Sequence, residues 1–273
     1  MSENKIRLID LTSNPSPSRA FAGPASAGIE YEVNSGLVLN PDNKNLHIIP
    51  NPRLYTQVFD DFLGDVIADQ WNVQVGNDSL PPSAAIVVGL NGFVRLTTGN
   101  DAGASHATNG VQLEGQLNWQ ADQGNLVFEV KLKSNAVTAL ALFVGFTDQV
   151  AALEFPATLT TTTFTTNAAD AVGFLFDTNA TTDTIRLVGV KATVDAVHQD
   201  TGYALVADVY TTLRVEVDEL GNATFFRNGV KVGTQMVNAV SPDVPLVPVI
   251  ATFSETTTSR LVDVDYVIVG QSR

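Results

Sequence analysis

With 273 residues the chain has room for one large domain or one domain with an appendage, and 44% hydrophobic against 16% charged residues leave ample apolar mass for a core. Twenty-nine acids against fifteen bases give a formal charge of −14, a sign that repels phosphate backbones and anionic lipid, so neither nucleic acid nor membrane is expected as a partner. The absence of cysteine excludes a disulfide framework and a thiolate metal site.

The first residues, MSENKIRLID, lack an apolar stretch of signal-peptide length, and the longest apolar run, VTALALFVGF at 137–146, is too short to cross a bilayer. The reading is a soluble protein made without Sec export. Residues 1–57 hold six of the twelve prolines but one of the fourteen phenylalanines, Phe21, so they cannot form a core of their own. Proline fixes φ and removes a ladder donor, which makes this stretch an extended arm with at most short strands, in SGLVLN and LHIIP. Its charges balance, so the whole net charge falls on residues 58–273. Apolar side chains such as Ile6, Leu8, Leu11, Leu37, Ile48 and Ile49 seek burial, either on the arm's own domain or, the favoured reading, along a neighbouring chain.

From Val58 onward the sequence alternates with period two between turn signals. Strands are expected in 92–98, 125–133, 139–147, 170–177, 184–191, 212–218, 223–228, 245–253 and 260–270. No segment shows a helical stripe with caps, so residues 58–273 read as an antiparallel all-β sandwich or barrel rather than a parallel α/β sheet. The Asn-Gly pair at 228–229 marks a type I′ hairpin, and the threonine-rich LTTTTFTTN at 159–167 reads as an edge strand or surface loop.

The order of FDDFLGDVIADQWNV (59–73), LEGQLNWQADQGNLVFEVKLK (113–133), the hairpin LRVEVDELGNATFFRNGVKVGT (213–234) and the closing LVDVDYVIVG (261–270) resembles the concanavalin A-like jelly roll. That superfold includes lectins, laminin-G modules and glucanases, and the match covers about residues 58–271. NGFVRLTTGNDAG (91–103) and the threonine-rich stretch are most similar to jelly-roll virion proteins of tailed bacteriophages, the head decoration or cement proteins. The resemblance implies a structural subunit on the outer surface of a capsid, made in the host cytoplasm. Its partners would be the major capsid protein and other copies of itself, a trimer suiting three-fold positions. The alternative is a lectin-like module that binds surface glycans from a virion.

Glu216 and Asp218 stand two residues apart on one strand face, the start of the Glu-x-Asp-x-x-Glu or Glu-x-Asp-x-Glu pattern of the glucanase branch, whose catalytic carboxyls lie ~5 Å apart in retaining enzymes. Leu220 and Gly221 occupy the positions of the closing acid, and Glu219 points to the opposite face. No catalytic residue is assigned and the chain is expected not to be an enzyme. His47, His106 and His198 share no metal-ligand spacing, so no metal or cofactor is expected from them. Relatives often hold calcium at loop rims; Asp263 with Asp265 and Asn100 with Asp101 are the candidates, the first pair reading as a solvated strand face. Trp71 and Trp119 read as packing residues rather than sugar platforms. Of Phe225 and Phe226, one must face the core and the other the outer face.

Overall fold

A computed structural model describes residues 37–39, 46–48, 55–88, 92–101, 105–115, 119–149, 153 and 155–272. The chain divides into two units, residues 1–55 and 56–273. In the first, β1 (Leu37–Leu39) and β2 (Leu46–Ile48) pair antiparallel within the two stretches expected to hold short strands. The remainder of the arm, with its expected course along a neighbour, lies outside the described residues.

The strands that follow are β3 (Tyr55–Asp60), β4 (Trp71–Val75), β5 (Ser83–Val87), β6 (Phe93–Thr97), β7 (Val111–Gly115), β8 (Leu126–Ser134) and β9 (Leu140–Thr147). After them come β10 (Ala157–Thr160), β11 (Thr163–Thr166), β12 (Ala171–Asp177), β13 (Arg186–Lys191), β14 (Val194–Asp195) and β15 (Gln199–Asp200). The chain closes with β16 (Thr211–Val217), β17 (Ala223–Arg227), β18 (Val230–Met236), β19 (Val247–Ser254) and β20 (Leu261–Ser272). Each of the nine expected strands of the sandwich is present, with ends shifted by one or two residues. Two short helical turns interrupt them among the described residues, α1 (His106–Asn109), capped by reciprocal bonds between Ser105 and Thr108, and a 3-10 turn at Ala121–Gln123; three or four residues carry too little period to be read from sequence.

Two eight-stranded antiparallel sheets form the sandwich. The first runs β14-β13-β12-β9-β19-β7-β4 with β15 beside β13, and the second runs β18-β17-β16-β8-β20-β6-β5 with β3 beside β20. In the second sheet alternation works as the sequence dictates: Leu126, Phe128, Val130 and Leu132 of β8 are fully buried between the sheets, while Glu129, Lys131 and Lys133 face outward. The first sheet differs. Every residue of β9, β12 and β19 is buried, so its central strands are covered on both faces. One face, with Leu142, Val144, Phe146, Phe174 and Ile250, joins the main core. The other, with Phe143, Leu175, Val188, Val249 and Ala251, joins Phe155, Ala157 and Leu159 in a second apolar layer.

That second layer corrects the reading of the threonine-rich stretch. It is not an edge strand of either sheet and not a bare loop; β10 and β11 form a separate hairpin that caps the first sheet. Ala157 and Leu159 alternate with Thr158 and Thr160, and two apolar residues at period two suffice to give the hairpin a buried face. Pro248 is tolerated in the central strand β19 because it precedes the segment paired to β7 and lies against Gly115, where a Cβ would come within 2.5 Å of the proline ring.

The hairpin β17–β18 turns through Asn228 (φ 49°) and Gly229 (φ 76°), both central residues at positive φ as a type I′ turn requires. Phe225 is fully buried against Phe174, whereas Phe226 faces outward beneath the Arg214 guanidinium at 4.2 Å. Phe225→Ala is expected to cost about 3–5 kcal/mol in urea unfolding and Phe226→Ala about 1 kcal/mol or less, since only the first opens a core cavity.

Candidate functional site

The carboxylates that drew attention in the sequence are occupied by structural work. Glu216 pairs with Arg214 at 3.2 Å. Asp218 closes the turn after β16: its Oδ1 accepts the amides of Leu220 and Asn222, each at 2.9 Å, and its Oδ2 accepts the Asn222 side chain. Burial acts to raise the Asp218 pKa, but the hydrogen bonds from Asn222 and Leu220 prevail and hold it below the usual carboxylate value. Trp71 and Trp119 are packing residues of the main core, and Trp71 Nε1 donates to Asp60 Oδ2 at 2.8 Å.

The calcium candidates are likewise committed. Asp263 is not on a solvated face as expected: it is 5% exposed, held by a bidentate bond from Arg95 at 2.7 and 2.9 Å and by Lys133 at 3.8 Å. Burial is made tolerable there by cations on the flanking strands β6 and β8, which the sequence of β20 alone does not reveal. Asp265 pairs with Lys131 at 2.7 Å. Asn100 and Asp101 present their backbone amides to Asp78 Oδ2, so this loop offers donors where a cation needs acceptors.

The two histidines of the sandwich each have partners of their own. His47 lies on β2 in the first unit. His106 packs between Phe155 and Phe253, where burial lowers its pKa to about 4, and His198 bonds Asp195 at 2.7 Å and stacks on Phe164. Among the described residues no three His, Cys, Asp or Glu side chains are grouped to hold a metal ion.

Two arrangements on the outer face of the first sheet were not read from sequence. The first is a ladder across β4 and β7, where Asn72 stands opposite Glu114 and Gln74 opposite Gln112. Glu114 Oε1 accepts Asn72 Nδ2 at 2.7 Å and Gln74 Nε2 at 3.4 Å, while Oε2 accepts Gln112 Nε2 at 2.8 Å. Gln112 is 0% exposed, and its Oε1 has no hydrogen-bond partner among the described residues. Such an orphaned acceptor costs about 1–3 kcal/mol until a donor reaches it. Polar residues alternating with Val111 and Leu113 in VQLEG were the available signal: a strand whose outer face is amide and carboxylate rather than Lys or Thr.

The second is a cleft of about 390 Å³ lined by Asp177, Glu255, His106, Phe155, Thr158 and Asn179. Asp177 closes β12 and Glu255 follows β19; the intervening strand β9 brings both to one end of the sheet, since Ala141 pairs with Asp177 on one side and Phe253 on the other. Asp177 accepts the amides of Leu159 at 2.8 Å and Asn179 at 3.0 Å. Glu255 accepts the Thr178 hydroxyl and the Asn179 amide group. Burial raises the Glu255 pKa to about 7; the Thr178 hydrogen bond opposes this, and the Asp177 charge and a hydrogen bond to Asp177 reinforce it. The two carboxyls thus stand at one end of the cleft, joined through Asn179, whose amide bonds Asp177 and whose side chain bonds Glu255.

No protein-family model and no curated protein matches the chain. Solved structures do. A prokaryotic β-1,3-1,4-glucanase (lichenase) from a mouse hindgut metagenome superposes with a TM-score of 0.54 at 12% identity over 78% of this chain and 98% of its own. The Emp47p carbohydrate recognition domain gives 0.55 at 11% identity over 82% and 99%. The endo-1,3-β-glucanase (laminarinase) catalytic domain of Thermotoga petrophila gives 0.52 at 13% over 80% and 98%. The fold is a concanavalin A-like jelly roll. At these identities the likeness is one of fold, and the jelly roll is the frame of both glucanases and a carbohydrate recognition domain.

The expectation that the chain is not an enzyme is corrected by these matches, most of which are glycoside hydrolases. That expectation rested on Glu216 and Asp218 in the second sheet. The jelly roll also joins two carboxyls that are distant in sequence across three strands of the first sheet, a combination that no spacing rule along one strand can find.

The raised Glu255 value fixes a sign for stability. The folded state binds this proton more tightly than the unfolded state, so the contribution is full below about 4.5, declines as pH rises to about 7 and is level above. The melting temperature is expected to fall across that window, and Glu255→Gln, a neutral mimic of the protonated carboxyl, is expected to remove this component of the slope in calorimetry.

Proposed function

We propose that this jelly roll recognises carbohydrate through the amide and carboxylate ladder of Asn72, Gln74, Gln112 and Glu114. The observation that carries the reading is the row of half-buried Asn72 and Gln74 amides held on the Glu114 carboxylate, with Gln112 behind them. Fixed side-chain amides offer both N–H donors and a carbonyl acceptor to neighbouring hydroxyls, the pairing that polyols present. Likeness in fold to a carbohydrate recognition domain and to glucanases supports a glycan as the polyol.

A glycan array followed by calorimetric titration of the best ligand tests this. Asn72→Ala is expected to weaken binding about tenfold, the loss of one hydrogen bond to the ligand. A protein that retains no glycan, or a variant that binds as well as the native chain, sinks the proposal. Reducing-end release from the retained glycan, measured alongside, asks whether recognition leads to cleavage.

A second reading, a bacteriophage head decoration protein, rests on the sequence resemblance and on the arm rather than on what the solved structures are. The solved jelly rolls are covered over 95–99% of their length but leave about a fifth of this chain unmatched, an excess the size of the proline-rich residues 1–57. In this reading the arm binds the major capsid protein and neighbouring copies on the outer capsid surface. Deleting residues 1–57 is then expected to abolish occupancy on shells in a co-sedimentation assay, and full occupancy without them would end it.

A further inference from the structure

We propose that the Asp177 and Glu255 pair is a pH-sensitive latch that holds the β10–β11 hairpin down on the first sheet. The hairpin is fastened at this end through the pair and the turn between them. Leu159 of β10 donates its amide to Asp177 Oδ2 at 2.8 Å, and Thr161 at the hairpin tip donates to the Asn179 carbonyl at 2.6 Å. Thr181 returns bonds from its amide and hydroxyl to the Thr161 carbonyl at 2.9 and 3.0 Å. Asn179 is in turn held by its side chain on Glu255 and its amide on Asp177. At the far end the fastening is of another kind, a Thr166 hydroxyl on the Thr193 carbonyl at 2.9 Å and the stack of Phe164 on His198.

The charges facing the pair are all of one sign or none. Asp177 comes from β12 and Asp183 from the segment after it, while His106 from α1 is kept neutral by its apolar surroundings. Among the described residues neither Asp177 nor Glu255 forms an ion pair with Lys, Arg or His, in contrast to Asp263, Asp265 and Asp200. A proton on Glu255 relieves the juxtaposition of two carboxyls that one residue, Asn179, holds together, and its loss leaves neighbouring carboxylates with no cation to offset them. Separation pulls on Asn179 and Leu159, the two groups that carry the hairpin, and what lies beneath is the second apolar layer of Leu175, Val188 and Val190. The latch opens toward alkaline pH and exposes that layer. It does not depend on the carbohydrate reading, which rests on other strands.

Hydrogen exchange of the full chain, read by mass spectrometry between pH 5.5 and 8.5 and corrected for the intrinsic chemical rate, tests the latch. Opening of the amides in 157–166 is expected to rise about tenfold per pH unit up to about pH 7 and then level off, because one proton is released on opening. β8 amides should stay better protected than the hairpin at every pH. Glu255→Gln should hold the hairpin at its low-pH protection throughout, and Asp177→Asn, which also removes the repulsion, should flatten the profile even where it weakens the Leu159 bond. Protection of 157–166 that ignores pH, a slope that survives Glu255→Gln, or hairpin and β8 amides opening with the same free energy would each overturn the proposal; the native chain alone decides the first and third.

Discussion

The structure depends on the burial of both faces of one sheet. In an ordinary two-layer sandwich the outer face of each sheet meets water and can be polar, but β9, β12 and β19 place apolar side chains on both sides. Exposed, the outer set of Phe143, Leu175, Val188 and Val249 would form an apolar patch of the kind that aggregates. The hairpin of β10 and β11 answers that constraint. Its presence then fixes what happens at the sheet's ends, because its backbone needs partners and finds them in Asp177 and Asn179.

The second sheet solves the same problem in the opposite way. Its outer face is a lattice of charge in which Arg95, Lys133 and Asp263, Lys131 and Asp265, and Arg214 with Glu129 and Glu216 neutralise one another across neighbouring strands. Tyr210 lies under Lys131 and Lys133, and Phe226 under Arg214, so the cations are packed as well as paired. Charged groups satisfied by one another leave little for a ligand. On the first sheet the polar groups are arranged differently, with the amides of Asn72, Gln74 and Gln112 gathered on Glu114 and the Asp177 and Glu255 carboxyls brought together at the hairpin.

The strands were legible in the sequence because alternation is a local property. NLVFEVKLK shows which of its residues face inward without reference to any other strand, and Asn228-Gly229 declares its turn by the φ values that those residues tolerate. The site was far less legible. Glu216 and Asp218 attracted notice because they are close in sequence, yet one is an ion-pair partner and the other a turn cap. Asp177 and Glu255 looked like single acids closing the apolar strands FLFD and ATFSE, and nothing in either strand announces the other.

By itself the sequence determined the all-β class, the order and inward faces of the strands, the turn at Asn228-Gly229 and the absence of a helical layer. Tertiary structure alone decided which strands became neighbours, that threonine-rich residues would roof a second apolar layer, and that two distant carboxyls would meet in one cleft. The reason is physical: periodicity and turn chemistry act over a few residues. Strand adjacency is settled by which apolar faces can be buried together, and the protonation of a carboxyl by whatever that burial brings beside it.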